Sequence, residues 1–476
     1  MKRIDDVVGE LKGEVSQWEE GIFDWACGLA QALAKVVLER IDEALLKGRG
    51  EGLGVVGFRE HYITTLFGDI SIRRRLYQDN AGHYRFLLDE AMGLKKRSHV
   101  SPKVEELATF LASQVPSFAR CEQVLRAVLP DGVSHTTIHR LVGRVVDPCI
   151  AEEEAEIAAV FEEGEIPQSE GRVVPYLMAE ADGVSIALQR EEERRGEVKV
   201  GIAYEGWERI GKERYRLKEK TSYAGVMDGG RFWEGFSLVL AKRYDLSEAG
   251  QIIVGSNGAD WAREGAEYLG GKFQLDQFHL LRALYRGLAP DEGLVGEVYR
   301  ACVHSEVDKA DRILSEVQSR ARGEQRKRLA QLRGYLLSNR EGLPDYRIGL
   351  EAEGLRGLGA IEGNVDKLIA VRMKKRGMSW TKRGANRMAR LINLRERGEL
   401  HCWINPHPGK TKDTSAAGKR AETRHYRPDQ DNGAWLGANL PALHGSHAQR
   451  PWARALWALA HGHSLTTIRG SAPTKC

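Results

Sequence analysis

Two acidic residues and one amide, far apart in the chain, have the types and settings from which metal-assisted phosphoryl chemistry is built. Asp182 closes an apolar run in AEADGVSIALQ and is followed by Gly183, so its carboxylate can project from a strand where the chain turns. Glu362 lies in GAIEGNVDKLIAVRMKKRG, beside a stripe of Ile361, Val365, Leu368 and Ile369 at helical spacing, with Asp366 one turn along on its own face. Between them QIIVGSNGADW ends an apolar strand. Where a third acid would complete the set stands Asn257, with Asp260 three residues on. Carboxylates gathered from remote positions can hold two Mg²⁺ ions about 3.5–4 Å apart, one activating a nucleophile and the other steadying the leaving oxygen. Each position also has a plainer reading. Asp-Gly is a common hairpin turn, and an acid in the first turn of a helix is favoured by the helix dipole alone.

Other side chains could meet a polyanion. Ser134 is placed to cap HTTIHRLVGRVV after a turn at Pro130-Asp131-Gly132, and a helix starting near Ser117 precedes it. That pair resembles a helix-turn-helix, with His135, Thr136, Thr137 and His139 at the front of the second helix, where base edges are read. The two histidines lack the glutamate of HExxH, which argues against zinc. A basic cluster follows Glu362: Lys374, Lys375, Arg376, Lys382, Arg383, Arg387 and Arg390. Two cationic helices broken at Gly377 suit a DNA backbone; a solvated helix face explains the same charge. Trp380 between them could stack on an unpaired base or simply pack between the helices. His279 in LDQFHLLR opens a helix that Asp276 can cap, and reads as a core or capping histidine.

The elements that must position these groups fall into six segments. The chain has 476 residues, 42% hydrophobic and 29% charged, a globular profile too long for one ordinary core. Residues 1–57 predict a helical region in which Ile22, Trp25, Leu29, Leu33 and Val36 recur at helical spacing. Residues 58–166 predict a β-hairpin turning at Gly68-Asp69, with Arg73, Arg74 and Arg75 on its second strand, then the helical DNA-binding candidate. A linker at Pro167–Gly171 leads into 171–280, where three consecutive strands precede alternating helices and strands. Residues 281–354 read as a helical insertion, 355–400 as the Glu362 helix and the basic helices, and 401–476 as a largely irregular tail with a short helix around Trp452 to Leu459. Six scattered cysteines without a CxxC pair fit reduced thiols. No unbroken run of about 18 apolar residues is present, and the start turns acidic at once, so neither a membrane span nor a signal peptide is expected.

From about Phe58 onward the chain resembles the ISLre-type bacterial insertion-sequence transposases, a DDE-type group. The resemblance is carried by TLFGDISIRRRLY, LLDEAMGL, AEADGVSIALQ, KVGIAYEGWE, NGADW, LDQFHL and IEGNVDKLIAVRMKKRGMSW, in that order. It implies an α/β fold with a ribonuclease-H-like mixed-sheet catalytic core and a helical insertion. A mostly α N-terminal region holding the hairpin and the helix-turn-helix-like segment precedes that core. It implies Asp182 as the first catalytic acid, Glu362 as the glutamate, both as ligands of Mg²⁺ or Mn²⁺, and double-stranded DNA (transposon ends and target) as partner. A homo-oligomer on DNA and a cytoplasmic, nucleoid-associated location follow. The family's second Asp stands in a Gly-Asp-Gly-Ala-x-Trp string, and Asn257 occupies that position here. A neutral amide holds two dications less well, so metal affinity and rate should fall unless Asp260 substitutes. The alternative is a catalytically inactive DNA-binding relic or regulator.

Overall fold

The computed structural model describes residues 15–404, apart from 96–97, 213, 290, 351–353 and 376. The expected helix around Trp452 to Leu459 and the candidate Arg376 lie outside the described residues. Helix α1 (Val15–Lys47) lays one face on a hairpin of β1 (Gly54–Thr65) and β2 (Gly68–Gln78), to which β3 (Tyr84–Arg85) adds. Ile63, Ile70 and Ile72 of the hairpin and Leu88 of α2 (Leu87–Ala91) bury against Ala34, Leu38, Ile41 and Leu45. Gly68 turns the hairpin at φ +103°, and a Cβ there would strike Gln31 and Asp131, so the turn needs its glycine. The arginine triplet is split by strand alternation. Arg74 is buried on Asp89, Arg75 pairs with the buried Asp42 at 2.6 Å, and Arg73 faces solvent. The Ile22, Leu33 and Val36 that carry the helical spacing of α1 lie on its other side, exposed. An 18-residue window in Trp18–Lys47 reaches a mean hydropathy of 1.3, long and apolar enough to cross a membrane by length and composition. A search for unbroken apolar runs passes over it because charges interrupt it.

Serines cap the next three helices, Ser134 as predicted. Ser101 precedes α3 (Pro102–Gln114), Ser117 precedes α4 (Phe118–Val128) and Ser134 precedes α5 (His135–Phe161), each accepting the N–H three residues on. Helix α5 is no short second helix. It runs 27 residues through Pro148 and takes in the acids Glu152, Glu153, Glu154 and Glu156. Ile138, Leu141, Val142, Val145 and Val146 of α5 share one buried cluster with Val184 and Val198 of the following sheet and with Met388 and Leu391 near the C-terminal side. The apolar core therefore crosses the linker expected at Pro167–Gly171 instead of stopping there.

The second half is an α/β arrangement around a mixed sheet. Its strands are β4 (Tyr176–Leu188), β5 (Arg195–Tyr204), then, past a small ribbon of β6 (Trp207–Arg209) and β7 (Tyr215–Leu217), β8 (Thr221–Gly225), β9 (Gln251–Ser256) and β10 (Lys272–Leu275). They lie in the order β10-β9-β4-β5-β8. The first three pair antiparallel, and β9 and β10 run parallel to β4. Helix α6 (Gly229–Ala241) crosses from β8 to β9, and α7 (Asp260–Arg263) and α8 (Gly265–Tyr268) from β9 to β10. Alternation along β4 sends Leu177, Ala179 and Ala181 into the cluster with Phe232, Trp233 and Phe236 of α6. Met178, Glu180, Asp182 and Val184 take the opposite face.

Four helices, α9 (Gln277–Leu288), α10 (Glu292–Val303), α11 (Val307–Arg320) and α12 (Gly323–Ser338), then build their own cluster around Leu284, Val298, Leu314 and Leu329. The chain returns through α13 (Ala360–Val365), a π turn at Asp366–Ala370, α14 (Val371–Met373) and β11 (Ser379–Trp380), which pairs with the end of β4. Helices α15 (Lys382–Glu396) and α16 (Leu400–Ile404) close the described chain.

Candidate functional site

The rim where β9 and β10 end beside β4 gathers the sequence-predicted acids. Asp182 lies one residue beyond the Ala181–Ser256 pair, the last of the β4–β9 ladder, so the next residue of the β9 strand, Asn257, comes level with it. Asn257 Nδ2 donates to Asp182 Oδ1 at 2.8 Å, and the Gly183 N–H donates to the same oxygen at 2.8 Å. Asn257 Oδ1 is turned away to accept the Ala259 N–H at 2.9 Å, and its backbone carbonyl accepts Tyr335 Oη of α12 at 2.9 Å. Tip and helical segment are thereby tied together.

Glu362 reaches the same rim through His279. His279 Nε2 stands 3.3 Å from Glu362 Oε1, and its Nδ1 faces Asp276 Oδ2 at 3.9 Å. The Asp276 carboxylate beside it, helped by Glu362 and Asp182, raises the His279 pKa against the opposing effect of burial. Burial pushes the Asp182 carboxyl up to about 6; the Gly183 N–H and His279 oppose this, while Glu362 and Glu197 add to it. The acids and the histidine thus feel one another.

Glu180, which sequence reasoning passed over, is the residue that fixes Glu362 to the sheet. Fully buried on the Asp182 face of β4, it accepts the N–H groups of Gly359 at 2.8 Å, Ala360 at 3.3 Å and Ile361 at 3.2 Å, and the Tyr204 hydroxyl. A carboxylate seated on the first turn of α13 meets both the unpaired N–H groups and the positive end of the helix. Gly359 makes the approach at φ +126°, with the Asp276 carboxylate 3.4 Å from where a Cβ would sit. The available signal was an acid at period two from Asp182 inside an otherwise apolar strand.

The other predicted residues are distributed differently. Asp260 opens α7, but its side chain is 88% exposed and ion-paired with Arg263, and it is not among the groups that act on the Asp182 carboxyl. Arg390 is buried, bound to Glu153 and the Tyr223 hydroxyl, and lies over the Tyr223 ring. Arg387 clasps Asp147, with Nε at 2.6 Å, and Arg383 joins the same carboxylate at 2.9 Å. The basic face of α15 is thus largely spent on the acidic side of α5, and Arg390 is out of reach of any DNA; charge counting along one helix missed the acids opposite. Lys382 pairs with Glu193 and Lys375 with Asp366, both at 2.8 Å, while Lys374 is exposed. Trp380 donates to the Met373 carbonyl at 2.9 Å and packs near Arg372, which favours the packing reading. At the start of α5, His135 is held by Glu122 at 2.6 Å, Thr137 bonds Ser134, and His139 packs edge-on to Phe118; His135, Thr136 and His139 are exposed.

Among the described residues no group of three or more His, Cys, Asp or Glu is arranged to hold a metal ion. Asp182 Oδ2 takes no hydrogen bond from the described residues, and burial is the main cause that raises its carboxyl. Asp182 and Glu362 are the two carboxylates that meet His279 on this rim, and the tip of β9 offers the neutral Asn257 amide beside them.

The model of an uncharacterised protein family, UPF0236, matches residues 14–404. The UPF0236 protein in the vanSb 3′ region of Streptococcus gallolyticus is 28% identical over 420 residues, 85% of this chain and 86% of the relative. A UPF0236 protein of Caldanaerobacter subterraneus subsp. tengcongensis is 22% identical over 369 residues, 76% of this chain and 74% of the relative. Another from that strain matches to the same extent, and its name joins eleven locus designations.

Proposed function

We propose that this chain, which belongs to the uncharacterised protein family UPF0236, is a DNA transposase of a bacterial insertion sequence, acting on its element's ends and target DNA by phosphoryl transfer. The observation that carries the reading is the meeting of Asp182, Asn257, His279 and Glu362 on one sheet rim. Three antiparallel strands followed by two parallel ones, with the first strand central, support a ribonuclease-H-like core. The relatives' names support a mobile gene: one protein recorded at eleven loci of one strain is what an element that copies itself leaves behind.

In this reading Asp182 and Glu362 would hold Mg²⁺ or Mn²⁺, which when bound supplies Lewis-acid stabilisation of the reacting phosphate. Glu180 sets the position of α13 and so of Glu362. His279, whose protonated form Asp276 and Glu362 favour, stands beside Glu362 on the rim where the phosphate would lie. Tyr335 holds the Asn257 tip. The exposed cations Lys374, Lys382 and Arg383, with His135, Thr136 and His139 at the head of α5, remain accessible to duplex DNA.

A second reading, a DNA-binding protein that does not cut, is favoured by one contact: the Asn257 amide donates to Asp182 where a second acid would repel it. Nicking of supercoiled plasmid in Mn²⁺ separates the two, run on the unmodified chain, Asn257→Asp and Asp182→Asn. Nicking by the unmodified chain that Asp182→Asn abolishes rejects the second reading. Nicking by Asn257→Asp alone makes this copy a non-cutting one, and the absence of nicking in both rejects the transposase centre.

A further inference from the structure

Helix α1 carries two apolar faces, and the hairpin covers one of them. At 100° per residue, Cys27, Gln31, Ala34, Leu38, Ile41 and Leu45 point one way, and this side is anchored by Gln31 Nε2 on the Phe67 carbonyl at 2.7 Å and by Asp42 on Arg75. The opposite side presents Trp18, Ile22, Leu29, Leu33 and Val36 at spacings of three, four and seven. Leu33 is 62% exposed and Ile22, Val36 and Trp18 are 40% exposed or more. The stripe is roughly 27 Å long at 1.5 Å per residue, the repeat and length of a coiled-coil seam.

We propose that this face pairs two copies of the chain through an antiparallel coiled coil of their α1 helices. The sequence of the face selects the occupant and its direction. An antiparallel pairing about Leu29 sets Ile22 against Val36 and brings Arg40 of one helix to Trp18 and Glu19 of the other, a cation beside an indole and a carboxylate. A parallel in-register pairing would set Arg40 on Arg40 and Glu19 on Glu19. A bilayer suits the helix less well. Glu19, Glu20, Asp24, Lys35, Glu39, Arg40, Asp42, Glu43 and Lys47 lie along its length, and its other side is already bonded to a hairpin. The inference does not rest on the transposase reading.

The test is the mass of the full chain by light scattering at micromolar concentration, with and without lipid vesicles. The unmodified chain should be a dimer, and Leu33→Glu with Val36→Glu should be a monomer whose circular dichroism and melting are those of the parent. Under mild oxidation Leu29→Cys should cross-link to itself within the dimer. Val36→Cys should do so only with an Ile22→Cys partner. A monomeric parent, a dimer that survives the double substitution, or self-linking by Val36→Cys in place of Leu29→Cys overturns the proposal. So does a monomer that binds vesicles through this face.

Discussion

Asn257 donates its side-chain amide to the Asp182 carboxylate at 2.8 Å. An amide at this point is the reverse of what a paired-metal centre needs, because it brings no negative charge and donates to one oxygen of the buried carboxylate. Placing an acid there with Asn257→Asp replaces a donor by a like charge beside a group already pushed up to about 6. The substitution should lower stability in EDTA by about 1–3 kcal/mol at pH 8. Mn²⁺ should return most of that loss, whereas the unmodified chain should gain little. Thermal melts of both chains with EDTA and with Mn²⁺ measure this. Equal metal responses would show that the two side chains do not share a cation.

The buried acid also predicts a pH dependence. The Asp182 carboxyl titrates at about 6 in the fold against 3.8 unperturbed. The protonated form is the one the fold prefers. Its contribution is whole below pH 3.8 and is lost as pH climbs through about 6, reaching about 3 kcal/mol by pH 8. Asp182→Asn keeps an acceptor for Gly183 and Asn257 and removes the charge. It should therefore melt higher than the parent at pH 8 and close to it at pH 4. A gap of one size at both pH values would mean that burial is not what holds this carboxyl.

How much of this was legible in the sequence follows from how local each signal is. Serine caps, the Gly68 turn and the alternation of β4 are written within a few residues, and the chain folds as they say. Periodicity found the stripe of Ile22, Leu33 and Val36 but not which side of α1 meets the hairpin, since both sides are apolar. The length of α5 was hidden by Pro148 and by a change of charge, neither of which stops a helix whose apolar stripe continues. The fate of Arg387 and Arg390 depends on Asp147 and Glu153, more than 230 residues away in sequence, and no local window holds both. The same distance concealed Glu180, whose role exists only once α13 comes to rest on β4.

Glu180 should prove to be a strong stabiliser whose loss acts on Glu362. Glu180→Ala leaves the Gly359, Ala360 and Ile361 N–H groups and the Tyr204 hydroxyl without their acceptor in a dry setting, at roughly 1–3 kcal/mol for a buried unpaired group. Glu180→Gln retains one acceptor oxygen and should lose less. Denaturant titration ranks the two. Hydrogen exchange should speed at the first turn of α13 in both variants, while the far strands change only as global stability does. Unchanged exchange there would remove the anchoring role.

Three arginines of one helix should behave in three ways. Arg390 is 6% exposed at its side chain and has Glu153 as its ion-pair partner. Glu153→Ala leaves a buried guanidinium uncompensated and should cost about 3–5 kcal/mol. Arg387 is 17% exposed and shares Asp147 with Arg383, so Arg387→Ala should cost less, on the order of 1–2 kcal/mol. Arg383 is 74% exposed, and Arg383→Ala should leave folding within about 0.5 kcal/mol. If the proposed DNA contact holds, the order reverses on duplex DNA. Arg383→Ala, combined with Lys374→Ala and Lys382→Ala, should weaken binding at low salt and flatten its salt dependence by about one unit of slope per phosphate contact removed. Binding isotherms across a salt series measure the slope. An unchanged slope in the triple variant would mean that these three cations make no phosphate contact.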